Sequence, residues 1–112
     1  MRKVLVFALT AALVAVAGGH AAARPERSIK VGDDYFVREG SPPTITVAKG
    51  TRVTFRWRGS SLHNVHARKG PRTFRSNYRS KGTYSQILGR SGTYVVYCDI
   101  HAPSMRLTIK VH

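Results

Sequence analysis

The chain's single cysteine, Cys98, opens the run Cys98-Asp99-Ile100-His101-Ala102-Pro103-Ser104-Met105. A thiol, an imidazole and a thioether therefore crowd one short loop, which a strand end could aim at a common centre. Soft sulfur, imidazole and a weakly held methionine make the donor set of a type 1 (blue) copper site, His₂Cys with a long axial Met. The second histidine must come from elsewhere, and His63 and His66 are the candidates. In an extended segment Leu62–Ala67, alternate side chains face opposite ways. His63 then shares a face with Val65 and Ala67, which suit an interior, and His66 shares one with Asn64 and Arg68, which suit solvent or local hydrogen bonding. Strand parity thus selects His63 over His66. Other chemistries lack parts. No Ser/His/Asp set, phosphate loop or paired carboxylate stands out, and the only acids are Glu26, Asp33, Asp34, Glu39 and Asp99.

These donors need rigid elements on either side. Thr93–Cys98 (TYVVYC) is rich in β-branched and aromatic residues, as a central buried strand would be. Met105–Val111 alternates, with Leu107, Ile109 and Val111 inward and Arg106, Thr108 and Lys110 outward. Thr51–Trp57 puts Val53, Phe55 and Trp57 on one face and Arg52, Thr54 and Arg56 on the other, the period-2 pattern of a half-buried strand. Thr44–Val47 after Pro42-Pro43, Leu62–Ala67 and Thr83–Leu88 read as further strands, and Arg68–Lys81 as mostly loop around an isolated Phe74. Roughly seven short strands and no long amphipathic helix predict an all-β fold, a two-sheet antiparallel Greek-key β-sandwich.

The N-terminus reads differently. Met1-Arg2-Lys3 is positive, Val4–Ala17 is apolar apart from Thr10, and Ala21-Ala22-Ala23 is a small-residue cleavage signal. Residues 1–23 are expected to be a cleaved secretory signal peptide. The apolar run is shorter than the about 20 residues of a membrane span, so no span is expected after cleavage. Residues 24–29 are a polar lead-in and 30–112 the folded domain, about 89 residues in the mature chain. The destination is the periplasm or an extracellular or envelope face. There a lone thiol can form no internal disulfide and is open to oxidation unless buried, paired between chains or capped by a metal.

Without Arg2 and Lys3, 17 basic residues face 5 acids, a net charge of +12. No dense basic tract occurs. The charge suits either a solvated surface or steering toward an acidic partner.

The motifs Leu62-His63-Asn64-Val65, Gly70-Pro71 with Phe74, Gly82-Thr83-Tyr84, and Gly92-Thr93-Tyr94-x-x-Tyr97-Cys98-x-x-His101 followed by Met105 and a terminal β run resemble the plastocyanin-like cupredoxins, from Lys30 to the C-terminus. The resemblance implies a cupredoxin-like sandwich holding one copper, with His63, Cys98 and His101 as equatorial ligands and Met105 as the axial one. It implies that Asn64 ties the two ligand-bearing loops together. It also implies docking where His101 reaches the surface, among Ala102, Pro103 and Leu62. Three residues separate His101 from Met105, a spacing that varies in the family, and Leu62 stands where many relatives carry proline. The function implied is one-electron transport, not catalysis. A monomer is expected, and the +12 charge, not the resemblance, points to redox partners, a cytochrome or a copper oxidase or reductase, with acidic surfaces. No nucleic-acid partner is expected. Copper delivery or buffering through the same ligands is the alternative. A basic secreted domain binding polyanions is a more distant one, since it leaves the clustered ligands unexplained.

Overall fold

The computed structural model describes residues 23–36 and 43–112. The signal-peptide reading falls outside the described residues except for Ala23, and Glu39 and Pro42 lie outside them too. Among the described residues there are eight strands: β1 (Glu26–Val31), β2 (Thr44–Val47), β3 (Thr51–Trp57), β4 (His66–Lys69), β5 (Phe74–Arg75), β6 (Thr83–Leu88), β7 (Gly92–Tyr97) and β8 (Arg106–Val111). They form a three-stranded sheet, β1-β3-β6, and a five-stranded sheet, β2-β8-β7-β4-β5.

The alternation seen in the sequence becomes the inner faces of a sandwich. Val53, Phe55 and Trp57 of β3 and Leu107, Ile109 and Val111 of β8 are all buried, as are Tyr94 and Val96 of β7. Phe55 is fully buried and meets Phe36 edge-on, with ring centroids 6.2 Å apart. Gly70, at φ +142°, lets its turn pass close to Tyr94, where an added Cβ would lie 2.8 Å from the ring.

The expected sandwich is present, but its pairing is mixed. β1 runs parallel to β3, and β2 parallel to β8. Short turns enforce antiparallel pairing only between strands that follow one another within a sheet. β1 and β3 are separated by β2, which belongs to the other sheet. β1 begins at Glu26, inside the segment read as a polar lead-in: its first three residues are exposed, and Ile29 and Val31 supply its buried face. The region read as loop around Phe74 contains β5, a two-residue strand pinned by burial of Phe74 and its pairing with Ala67. Periodicity cannot register so short an element.

Removing the Phe55 ring empties the centre of this core without touching the metal-binding end. Phe55→Ala should lower the unfolding free energy by about 3–5 kcal/mol, as measured by denaturant titration of the metal-free protein.

Candidate metal centre

β7 is antiparallel to both of its neighbours, β4 and β8. Its C-terminal end therefore meets their N-terminal ends. The register makes this level, because Tyr97 pairs with His66 on one side and with Arg106 on the other. Cys98 follows Tyr97, Met105 precedes Arg106, and His63 lies just before β4. All three emerge at one end of the five-stranded sheet. The loop between β7 and β8 closes through three backbone bonds: His101 N–H to the Cys98 carbonyl, Met105 N–H to the His101 carbonyl, and Cys98 N–H to the Met105 carbonyl. His101 is thereby brought back over the same end.

His63, Cys98 and His101 converge, with one donor atom from each lying within 4.8 Å of the others. The Cys98 Sγ is 3.7 Å from His63 Nδ1 and 3.6 Å from His101 Nδ1. Bonds of roughly 2.0–2.3 Å from a metal to nitrogen and sulfur place neighbouring donors roughly 3.5–3.8 Å apart, so one ion fits between them. His63 and Cys98 are completely buried and Met105 is 1% exposed, while the His101 side chain keeps 31% exposure. Only the His101 edge of the cluster reaches solvent. Leu62, next to His63 in the chain, and Ile100, next to His101, are large exposed apolar side chains, Ala102 is half-buried and Pro103 exposed.

His66 does not join the cluster. Its Nδ1 is 2.9 Å from the Asp99 carboxylate. Of the two histidines, His63 is the buried one, and Asn64, for which solvent or hydrogen bonding was expected, is fully buried and hydrogen-bonded. Residues 62–65 are not a continuous strand: His63 makes only an isolated bridge, to Arg79, and regular pairing begins at His66. Asn64 uses its burial. Its Oδ1 accepts from the Asp99 N–H at 2.7 Å, and its Nδ2 donates to the Asp99 carboxylate at 2.8 Å.

Three acids that the sequence reading counted only as too few for acid–base work surround these donors. Asp99 accepts from Asn64, His66 and Arg68, the last through Nη2 at 2.7 Å. Burial works to raise its pKa, but those hydrogen bonds, led by Arg68, outweigh it and hold the carboxyl well below the usual range. Asp33 accepts the backbone N–H groups of Ser61 and Ser60 and lies 3.2 Å from His63 Nε2. Those bonds, Ser61 first, lower its pKa to about 2. His63 turns Nδ1 toward the sulfur and Nε2 toward Asp33, the arrangement by which a carboxylate orients a metal-binding imidazole. Asp34, itself at a positive φ of 84°, lies 3.5 Å from His101 Nε2. The available signal was scarcity: in so basic a chain, an acid directly after Cys98 and an adjacent acid pair are uncommon features.

Residues 28–112 match the family described as copper binding proteins, plastocyanin/azurin family. No curated protein matches the chain in sequence. Among solved structures, a proline-to-glycine variant of amicyanin in its reduced Cu(I) form at pH 4 is 25% identical, with a TM-score of 0.63 over 83% of this chain and 86% of that one. A reduced tryptophan-to-tyrosine variant of amicyanin is 24% identical, with a TM-score of 0.64 over 81% of this chain and 86% of that one.

The two histidines make opposite predictions. His63→Ala removes a buried donor and should abolish stoichiometric copper binding in a titration followed by absorption and calorimetry. His66→Ala should leave the stoichiometry unchanged; loss of binding there would place the donor on the wrong histidine.

Proposed function

This chain belongs to the plastocyanin/azurin family of copper-binding proteins, and from that premise we propose that it is an exported type 1 copper protein that carries single electrons. The observation that supports this best is the convergence of one thiol and two imidazoles at a buried sheet end, with Met105 buried at the close of the same loop. His63, Cys98 and His101 would be the strong ligands and Met105 a weak one. Bound copper supplies the one-electron change between Cu(I) and Cu(II).

The protein's part is to hold the donors still. Cys98 and His63 stand on or beside strand ends, and Asn64 clamps their two segments together through Asp99. Donors held by the fold before metal arrives need little rearrangement when the charge on the metal changes. Four protein donors leave no open position for a substrate, which favours carriage over catalysis. Delivery of copper to another protein is less well served, because three of the four donors are buried. The half-exposed His101, collared by Leu62, Ile100, Ala102 and Pro103, serves as an electron port.

Export is part of the same proposal. It is supported by the charged, apolar and small-residue pattern of residues 1–23. No helix among the described residues is long and apolar enough to cross a membrane. The basic surface suits redox partners that carry clustered acids, whose approach a positive field accelerates.

Copper(II) loading should produce an intense blue thiolate-to-copper absorption, absent in Cys98→Ala. A colourless copper(II) complex of the intact protein would sink the proposal. Met105→Leu should keep the colour and shift the reduction potential, because a thioether would bind the metal only weakly. Stopped-flow electron exchange with an acidic c-type cytochrome should slow steeply as ionic strength rises.

A further inference from the structure

His63 is completely buried, and its two ring nitrogens face different groups. Nδ1 lies 3.7 Å from the Cys98 sulfur, and Nε2 lies 3.2 Å from the Asp33 carboxylate. When a metal takes Nδ1, the hydrogen of the neutral ring is left on Nε2. A buried N–H needs an acceptor. Asp33 supplies one that carries a full charge.

Strand register delivers that carboxylate. β1 runs parallel to β3 with Val31 opposite Trp57, and the Arg58 N–H donates to the Val31 carbonyl. The two strands therefore leave the sheet side by side, with Asp33 two residues past one and Gly59 two residues past the other. The turn after β1 closes where the Gly32 N–H donates to the Tyr35 carbonyl at 2.8 Å. Asp33 Oδ1 then accepts the Ser60 and Ser61 N–H groups, both at 3.0 Å, and the same oxygen faces His63 Nε2. Gly59 makes the approach possible, because a Cβ there would overlap the Asp33 carboxylate. Two backbone donors thus fix the oxygen that meets the histidine. The acid at the other histidine is not held in this way: Asp34 lies 3.5 Å from His101 Nε2 and is 78% exposed, where water screens it.

We propose that Asp33 is a positioning residue that lowers the reduction potential of the copper site by acting through His63. The proposal rests on the electron-carrier reading above and adds which oxidation state the fold favours, and by what means. A carboxylate on the outer nitrogen of a ligating histidine fixes the ring and strengthens the other nitrogen as a donor. Copper(II) gains more from this than copper(I). Both the charge-assisted hydrogen bond and the carboxylate's field act more strongly on the ion of higher charge. Reduction adds one electron to the bound copper, and no bond to Asp33 forms or breaks.

The test measures the reduction potential of the copper-loaded variants by voltammetry, beside separate copper(I) and copper(II) affinities by chelator competition. Asp33→Asn keeps an oxygen for Ser60 and Ser61 but removes the charge. It should weaken copper(II) binding about tenfold or more and copper(I) binding much less, so the potential rises. Each tenfold difference between the two affinities is about 59 mV for one electron. Gly59→Ala keeps the charge but displaces it, and should raise the potential in the same direction; it carries the test if Asp33→Asn does not fold. Glu26→Gln makes the same charge change at an exposed position at the far end of β1 and should leave the potential in place. Equal weakening of copper(I) and copper(II) binding, with the potential unmoved, would mean that Asp33 only braces residues 58–61 and would overturn the proposal. A shift in Glu26→Gln as large as in Asp33→Asn would mean that any lost charge counts, and would overturn it too. Neither result touches the carrier reading, which fails instead if copper(II) leaves the parent colourless, taking this inference with it.

Discussion

The contact between Asn64 and Asp99 is the joint on which the metal-binding end depends. The donors come from two segments 35 residues apart, and this pair ties them with one bond to backbone and one between side chains. Buried polar groups are tolerated only when satisfied. The fully buried Asn64 amide therefore specifies one arrangement of His63 against Cys98, since any other would strand its polar atoms. Trp57 supports the same segment by donating its indole N–H to the His63 carbonyl at 3.2 Å. Levelling of the three strand ends by register does the rest.

The distribution of charge follows from the same joint. A net charge of +14 for the whole chain suggests an undifferentiated basic surface. In the fold, three of the four described acids gather at the metal-binding end: Asp33 on His63, Asp34 on His101, and Asp99 between the loop and β4. Asp99 draws Arg68 and His66 toward Tyr97, so one carboxylate both braces the ligand loop and holds Arg68 over the Tyr97 ring. The stability of the site and the pattern of its surface are thus not independent.

The core was legible in the sequence because a strand with one buried face must alternate; β2 and β8 do so without interruption, and β3 does so except at Thr54, which is buried as well. The elements that escaped are those whose pairing is non-local or very short. Nothing in Glu26–Val31 announces a parallel partner at Thr51–Trp57, and Phe74 becomes a strand residue only because Ala67 lies opposite. The full burial of Asn64 could not be read from alternation, because regular pairing begins only two residues later, at His66.

The sequence by itself determined the donor chemistry. Cysteine, histidine and methionine lie within one loop, so their closeness along the chain is set by the sequence, and Cys98 and His101 converge within it. The choice of His63 over His66 followed from local burial pattern. Only the tertiary structure decided what surrounds those donors: that Asp33 and Asp34 reach the outer nitrogens of the two histidines, that Asp99 gathers Asn64, His66 and Arg68, and that Arg75 and Arg106 line up with Tyr97. These groups are distant in the chain, and register between strands, which no single strand encodes, brings them together.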